Sequence, residues 1–287
     1  MSSEQGYTLS IFMITFLHNY LPQPILFKLG FIEVHWYGLL VVLGIIGALS
    51  AVLFLARKQN ITSDEVINLG FYAIISGLLG ARIYAVFLDL PYYLNNPWEI
   101  PAVWHGGLAI HGAIIGGGLA ILIYAIKKKQ SVWLWLDLAA PSLALAQAIG
   151  RFGNYFNQEV FGRPTSLPWG IPINPFNRPP GFEGFAYFHP TFLYESGLNL
   201  LNFVLLAVLF FWINKGRSEI RDRRSGDGMV FLAYLINYSV IRILMELLRI
   251  DQTPLVMGIR WPVVASVLIL ISSLGGLIFF RRQAAIR

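Results

Sequence analysis

The chain has 287 residues, of which 56% are hydrophobic and 13% are charged, and its mean hydropathy is +0.62. Soluble domains carry about a quarter charged residues, so this composition indicates an integral membrane protein. The absence of cysteine excludes disulfides, thiolate metal sites and a cysteine nucleophile within the chain. The formal charge is +6, but the basic residues stand at the ends of apolar runs, so we expect no nucleic-acid binding.

Seven apolar runs are long enough to cross a bilayer, whose hydrocarbon core of about 30 Å requires about 20 helical residues. They are Trp36 to Ala56, Asn68 to Leu88, Leu108 to Ile126, Val132 to Gly150, Thr191 to Ile213, Gly228 to Leu248 and Trp261 to Phe280. We therefore predict an all-α integral membrane protein with seven transmembrane helices, which form a single transmembrane domain over residues 1–287.

Clusters of Lys and Arg predict the orientation in the membrane, because short cytoplasmic loops are enriched in these residues. Such clusters follow the first, third, fifth and seventh helices, at Arg57 and Lys58, Lys127 to Lys129, Lys215 to Arg224, and Arg281 to Arg287. All four fall on one side of the membrane when seven helices are counted. The pattern predicts an N-terminus outside the cell and a C-terminus in the cytoplasm.

Two segments outside the helices are expected on the outer side. Within residues 1–35, the apolar stretch from Leu9 to Tyr20 is too short to cross comfortably, which favours an interfacial segment over a cleaved signal peptide. Residues 155–190, between the fourth and fifth helices, contain seven prolines and four glycines. Long ordered segments of irregular structure usually cover or form a site, so we predict an extracytoplasmic arm or head here.

The sixth predicted helix carries a polar stripe. Its polar residues fall within an arc of about 80° at helical spacing: Tyr238, Arg242, Glu246 and Arg249. A central arginine costs on the order of 2.5 to 3.5 kcal/mol in a membrane, so the stripe should face protein. Arg242 and Glu246 alone would form a structural ion pair, but one carboxylate cannot neutralise two guanidiniums. The surplus positive charge predicts an anion site.

A second polar concentration, GRFGNYFNQEVFGRPT, covers residues 150–165. Arg151 and Asn154 are three residues apart and therefore share one helical face. Arg151 alone is also compatible with a simple interfacial anchor, but such an anchor does not require the neighbouring Asn154 and Glu159. A dense set of donors with one carboxylate is suited to a lipid headgroup, through its phosphate and hydroxyl groups.

Further candidates lie at the outer ends of other helices. His111 is able to accept a proton near neutral pH, although a lone histidine beside glycine is often only a packed structural residue. Gly112 is most simply a close helix-packing position, and Tyr37 belongs either to an aromatic belt or to a polar site. Glu195 offers a partner for one of the arginines, and Arg82 either extends outward or joins the same cluster.

Taken in order, these motifs resemble those of the prolipoprotein diacylglyceryl transferase family. The most specific is the run from Gly150 to Gly162, which matches the family pattern of Gly-Arg, Gly-Asn, Asn, Glu and Gly. The other family motifs occur along the chain in the same order as in the family: His35-Trp36-Tyr37-Gly38, His111-Gly112, His189 to Glu195, and Arg242, Glu246 and Arg249. The resemblance covers almost the whole chain.

The resemblance implies transfer of the diacylglyceryl group of phosphatidylglycerol to the thiol of a lipobox cysteine. A thioether forms and glycerol 1-phosphate is released, in the first step of bacterial lipoprotein maturation. The implied partners are phosphatidylglycerol, the lipobox peptide of a prolipoprotein and the lipid bilayer. The implied location is the bacterial cytoplasmic (inner) membrane, with the active site toward the outer half of the bilayer.

The resemblance also implies a role for each candidate residue. His111 and Arg242 would be catalytic, and the headgroup of phosphatidylglycerol would be bound by Arg151, Tyr37, Asn154 and Glu159. The supporting residues would be Glu246, Arg249, Tyr238, Gly112 and Gly162. We expect no metal or other cofactor, since the sequence has neither a metal-ligand cluster nor a phosphate-binding glycine loop.

The alternative interpretation is a polytopic transporter or channel with an intramembrane Arg/Glu site. It would predict polar residues that continue into the cytoplasmic halves of the helices. Those halves are chiefly apolar, with Asp137 as the main exception. A retinal protein would require a lysine in the last helix, and the run from Trp261 to Phe280 has none.

Overall fold

The computed structural model describes the backbone of residues 15–30, 32–215 and 228–286, and the side chains of residues 15–30, 33–215 and 228–280. Most of the basic cluster from Lys215 to Arg224 lies outside the described residues. The same holds for the side chains from Arg281 to Arg287 and for the first part of the Leu9 to Tyr20 stretch.

Within the described residues, seven helices are long and apolar enough to cross a membrane, which confirms the predicted all-α membrane fold. They are α1 (Trp36–Arg57), α2 (Ser63–Leu88), α3 (Ile110–Lys127), α4 (Val132–Phe156), α5 (Thr191–Asn214), α6 (Met229–Glu246) and α7 (Trp261–Ile286). A short helix, Leu90–Asn95, and 3₁₀ turns lie between α2 and α3.

Three helix boundaries differ from the prediction by five residues or more. Helix α7 continues beyond the expected Phe280 to Ile286. Helix α2 begins before the expected Asn68 because Thr62 and Glu65 form a capping box, in which each side chain bonds the backbone N–H of the other residue. Helix α4 continues past Gly150 to Phe156. The polar run of residues 150–165 is therefore helical as far as Phe156, and the irregular segment starts at residue 157.

Three short antiparallel strand pairs, which the sequence analysis did not predict, accompany the helices. They are β1 (Ile25–Leu29) with β2 (Ile32–His35), β3 (Ile171–Pro172) with β4 (Tyr187–Phe188), and β5 (Leu255–Val256) with β6 (Ile259–Arg260). Met257 and Gly258 connect β5 and β6, and both have positive φ, as a two-residue hairpin loop of type I′ requires. This hairpin places Arg260 directly before α7.

The described chain divides into two units. The first unit contains the described residues of Met1–Ala48, Ala140–Leu209 and Leu232–Arg287, and the second those of Leu49–Ala139 and Phe210–Phe231. A single transmembrane domain over residues 1–287 stays a prediction.

In the second unit, α2 and α3 pack backbone to backbone. A Cβ atom at Gly112 would collide with the carbonyl group of Gly80, so this crossing requires glycine. Arg82 is buried and donates hydrogen bonds to main-chain carbonyls from Glu99 to Gly107. Arg82 thus orders the loop before α3, a role that neither of the sequence-based alternatives anticipated.

Asp137 also has a structural role in the second unit. Its carboxylate accepts hydrogen bonds from the backbone N–H groups of Gly228 and Phe231 at 3.0 and 2.9 Å. Asp137 therefore caps the first turn of α6, where a carboxylate is favoured by the helix dipole. This contact accounts for an acidic residue in the otherwise apolar beginning of α4.

In the first unit, residues 157–190, hereafter the head segment, pack around an apolar core. Four of its aromatic and aliphatic side chains, together with Tyr155 and Phe192 of the flanking helices, form this core: Phe161, Ile171, Ile173 and Phe188. The preceding N-terminal residues contact the segment, since His18 stacks on Tyr187 and bonds the carbonyl of Gly170 at 2.9 Å. The head segment is thus an ordered element of the fold.

Candidate active site

A buried carboxylate, that of Glu195, organises the polar centre of the first unit. Glu195 lies in the first turns of α5 and is 2% exposed. One carboxylate oxygen pairs with Nε of Arg151 from α4, and the other with Nη2 of Arg249 beyond the end of α6. Both guanidiniums are thereby fixed by one acid that the sequence analysis named only as a partner for one arginine.

A second buried carboxylate, that of Glu246, forms a neighbouring ion-pair group. Its Oε2 lies 3.1 Å from Nη2 of Arg242, one turn earlier on α6, and its Oε1 lies 2.7 Å from Nε of Arg260. The expected pair of Arg242 and Glu246 is therefore present. Nη1 of Arg242 is buried and has no hydrogen-bond partner among the described residues.

Arg260 connects the two groups. It donates to the backbone carbonyls of Arg249 and Asp251 at 3.1 and 2.9 Å, and it lies 3.6 Å from the Asp251 carboxylate. Sequence reasoning missed Arg260 because its position at the start of α7 is typical of an interfacial anchor. Only the β5–β6 hairpin turns this side chain toward Glu246.

We call Arg151, Glu195, Arg242, Glu246, Arg249, Asp251 and Arg260 the arginine network. It has four guanidiniums and three carboxylates, so one positive charge is in excess. Burial lowers the pKa of Arg249; Glu195 opposes this effect, and the positive charges of Arg242 and Arg151 add to it. An anion bound here would offset the repulsion among these guanidiniums and would accept a hydrogen bond from Nη1 of Arg242.

A chain of amide and carboxylate contacts continues from Arg151. Its Nη1 donates to Oδ1 of Asn154 at 3.2 Å, and Nδ2 of Asn154 donates to Oε1 of Glu159 at 2.8 Å. The expected shared face of Arg151 and Asn154 is therefore present. Gln158 and Val160 on either side of Glu159 have positive φ, a strained conformation for non-glycine residues.

Contacts with other parts of the first unit stabilise this strained turn. The side chain of Gln158 donates to the carbonyl of Pro22 and accepts from the backbone N–H of Asn174. The hydroxyl of Thr191 donates to the carbonyl of Val160. Glu159 is thereby held at an exposed position beside Asn154.

Tyr37 and Gly162 lie in the same unit. The ring of Tyr37 packs on Gly153, where an added Cβ would lie 2.6 Å from the ring. Gly162 forms a β-bridge with Arg249 and donates its N–H to the carbonyl of His189 at 3.0 Å. A Cβ at Gly162 would approach Cβ of His189 to 2.8 Å, so only glycine allows these segments to meet.

The last two candidates, Tyr238 and His111, contact other aromatic rings. Tyr238 of α6 stacks on Tyr234, with ring centroids 6.1 Å apart. His111 belongs to the second unit, where its exposed ring lies 5.8 Å from that of Tyr84. Among the described residues, no three His, Asp or Glu side chains are grouped for a metal ion.

Comparison with known proteins decides the family. The family model described as prolipoprotein diacylglyceryl transferase matches residues 24–279, which is most of the chain. The chain belongs to the prolipoprotein diacylglyceryl transferase family.

Bacterial relatives agree with this assignment. The chain is 45% identical over 231 residues to the phosphatidylglycerol-prolipoprotein diacylglyceryl transferase of Trichormus variabilis, with 80% of each chain covered. The enzyme of that name from Acaryochloris marina is 42% identical over 231 residues, covering 80% of this chain and 81% of its own. That of Synechocystis is 39% identical over 259 residues, covering 90% and 89%.

The family resemblance drawn from the sequence motifs is thereby confirmed, and the protein is a membrane transferase of this family rather than a transporter or channel. The matched region contains the complete arginine network, including Arg260. The roles of individual residues stay predictions.

Proposed function

We propose that the arginine network binds the phosphate of phosphatidylglycerol while its diacylglyceryl group is transferred to the thiol of a prolipoprotein lipobox cysteine. The observation that carries this proposal is the excess guanidinium of the network, together with Nη1 of Arg242, which is buried and has no hydrogen-bond partner in the part of the chain that the structure describes. A phosphodiester carries one negative charge and several acceptor oxygens, which match both features. The names of the relatives support the same substrates.

Arg151 and Arg242 would contact the phosphodiester. Their side chains are 27% and 15% exposed, whereas that of Arg249 is 6% exposed and is engaged by Glu195. Arg249 would therefore position Glu195, and Glu246 would position Arg242. Asn154 and the exposed Glu159 are suited to the glycerol hydroxyls of the headgroup, and Tyr37 adds an aromatic wall beside Gly153.

The reaction is a substitution at the glyceryl carbon that bears the phosphate. The cysteine sulfur attacks this carbon, a C–S bond forms, and the bond from carbon to phosphate oxygen breaks. The electron pair remains on that oxygen, and glycerol 1-phosphate leaves. The guanidiniums stabilise the charge that develops on the phosphate. We assign the thiol proton to His111 because of the family resemblance.

The proposed location is the outer half of the bacterial cytoplasmic membrane. The lipid would enter sideways from the bilayer and the lipobox peptide would approach from outside. The seven apolar helices support a multi-pass protein, and the basic residues after α1 and α3 support cytoplasmic loops there.

The test is a transfer assay with the purified chain, phosphatidylglycerol vesicles and a synthetic lipobox peptide that contains one cysteine. Mass spectrometry should detect a peptide heavier by one diacylglyceryl group and stable to reducing agent. Arg242→Ala should lower the rate about 100-fold or more, because charge stabilisation of the departing phosphate is lost. Lys28→Ala is the control, since Lys28 forms an exposed ion pair with Glu33 outside the network.

The same assay with His111→Gln tests the proposed proton acceptor. Well-folded protein that gives no mass change, with other anionic lipids also tried, would refute the proposed reaction. Full activity of Arg242→Ala would refute the assignment of the phosphate site.

A further inference from the structure

Two neighbouring cavities in the first unit lie beside the arginine network. Of their lining residues outside the network, the reaction described above uses only Glu159. The first, of about 480 Å³, is lined by Arg163, Pro164, Phe182, Arg249, Ile250 and Arg260. The second, of about 370 Å³, is lined mainly by polar residues of the head segment, with Ile250 and Asp251. The two cavities share Ile250.

The first cavity is suited to a phosphate group. Its lining contains three guanidiniums and no carboxylate. Arg249 is 7% exposed, and its Nε is buried without a hydrogen-bond partner among the described residues. Arg163 contributes an exposed side chain, while its backbone is fixed by bonds to Leu248 and His189. Guanidiniums bind phosphate oxygens through charge-assisted hydrogen bonds.

The second cavity is suited to hydroxyl groups. Its polar lining consists of amides and two carboxylates, with no basic residue: Asn157, Gln158, Glu159, Asn177 and Asp251. Oδ1 of Asp251 is buried and lacks a hydrogen-bond partner among the described residues. Amide and carboxylate oxygens accept hydrogen bonds from a polyol, whereas the carboxylates would repel a phosphate.

We propose that these cavities together form a binding site for the released glycerol 1-phosphate, with its phosphate in the first cavity and its hydroxyls in the second. Arg249 belongs both to the arginine network, where it pairs with Glu195, and to the lining of the first cavity. It therefore connects the place of the reaction with the proposed product site. The leaving phosphate would pass from the network to Arg163. The inference rests on the proposed function, which supplies this product.

Two molecules contain a phosphate joined to a polyol and thus match both cavities. One is the released product, and the other is the headgroup of a second phosphatidylglycerol molecule. We commit to the product because the cavity adds the guanidinium of Arg163 to two guanidiniums that already have carboxylate partners. A phosphate monoester carries up to two negative charges, whereas a phosphodiester carries one.

The test is calorimetric titration of the full-length chain in detergent with sn-glycerol 1-phosphate and, separately, with inorganic phosphate. Arg163→Gln should raise the Kd of both ligands about tenfold, as expected when one charge-assisted hydrogen bond is lost. Asn177→Ala should raise only the Kd of glycerol 1-phosphate, by about three- to fivefold. Lys28→Gln, which removes an exposed charge of the same unit from outside both cavities, should change neither Kd.

Product inhibition in the transfer assay provides the second readout. Added glycerol 1-phosphate should inhibit the unaltered enzyme more strongly than Arg163→Gln, by about the same tenfold factor. If Arg163→Gln instead raises the KM for phosphatidylglycerol and leaves the affinity for glycerol 1-phosphate unchanged, the cavities bind a lipid headgroup and the product assignment is wrong.

The outcomes separate this inference from the proposed function. An active transferase in which Arg163→Gln changes neither affinity nor inhibition refutes the product site alone. A chain that transfers no lipid but binds glycerol 1-phosphate through Arg163 refutes the proposed reaction, while the phosphate site stands, because titration requires no turnover.

Discussion

At the scale of single residues, the site depends on carboxylates that each hold two arginines. Glu195 pairs with Arg151 and Arg249, and Glu246 pairs with Arg242 and Arg260. Buried ion pairs add little net stability, but the loss of one partner leaves an uncompensated charge. The acids therefore determine where the guanidiniums stand, and the surplus charge determines what they bind.

Glu195→Gln tests this arrangement. The substitution keeps the size of the side chain but leaves the buried guanidinium of Arg249 and the partly exposed one of Arg151 without their counter-charge, at a cost of about 3 to 5 kcal/mol. We expect a lower thermal midpoint of unfolding and loss of transfer. Glu33→Gln removes a carboxylate from an exposed pair and should leave both quantities unchanged. Equal effects of the two substitutions would contradict the central role of Glu195.

His189 should make the stability of the protein depend on pH. Burial lowers the pKa of His189, and its Nδ1 lies 3.2 Å from the hydroxyl of Tyr194, which accepts a bond from Trp169. The folded protein thus favours neutral His189, whereas the unfolded chain has the ordinary pKa of about 6.5. Neutral His189 therefore contributes to the free energy of unfolding above a pH of about 6.5. This contribution is lost as the pH falls from there through the lower pKa of His189 in the folded protein.

Thermal unfolding measured between pH 8 and pH 5 should show this effect. The midpoint of the unaltered protein should fall more on acidification than that of His189→Asn, since only the former has this titrating group. Identical pH dependence of the two proteins would show that His189 does not contribute.

At the scale of elements, short irregular segments bring the polar residues of three helices together. The β5–β6 hairpin directs Arg260 toward Glu246, and the bridge between Gly162 and Arg249 connects the head segment to the end of α6. The head segment has its own apolar core, so it provides a stable support for these contacts. Helices alone would not determine the positions of Arg249 and Arg260.

Gly162→Ala should disrupt this connection. The new Cβ would lie 2.8 Å from Cβ of His189 and 2.9 Å from Cγ2 of Thr191. Overpacking of this kind typically costs about 1 to 3 kcal/mol, and the shift of Arg249 should also lower the transfer rate. The measurements are the thermal midpoint and the rate of peptide modification.

Gly197→Ala is the matched control in α5. An added Cβ there meets nothing within 4 Å, and alanine favours a helix over glycine by about 0.5 to 1 kcal/mol. We expect unchanged transfer and equal or higher stability. Comparable losses in both variants would mean that Gly162 has no special function in the connection.

At the scale of the whole molecule, seven apolar helices and the charges between them predict the orientation. Lys127, Lys128 and Lys129 follow α3, whereas the head segment follows α4. Positive residues favour the cytoplasmic side, so the head segment is expected outside.

Labelling of single cysteines tests this orientation, because the chain has no cysteine of its own. Asn177→Cys in the head segment should react with a membrane-impermeant maleimide in intact cells. Lys128→Cys should react only after the membrane is permeabilised. The reverse pattern would invert the predicted topology, and labelling of both sites in intact cells would contradict the number of crossings.

The sequence by itself determined the seven helices and the family, and it named five of the seven residues of the arginine network. Runs of about 20 apolar residues identify membrane helices because the bilayer demands that length. Local spacing also predicted the contacts of Arg151 with Asn154 and of Arg242 with Glu246, since residues three or four apart share a helical face.

Only the tertiary structure decided which distant charges meet. The pairing of Glu195 with two arginines joins three chain segments, and the contact of Glu246 with Arg260 depends on a hairpin turn. Such contacts follow from packing and desolvation of the whole unit, which no helical period encodes. Arg82 is a further example. Its charge was compatible with membership of the polar cluster, but its buried guanidinium donates hydrogen bonds to the carbonyls of the loop before α3.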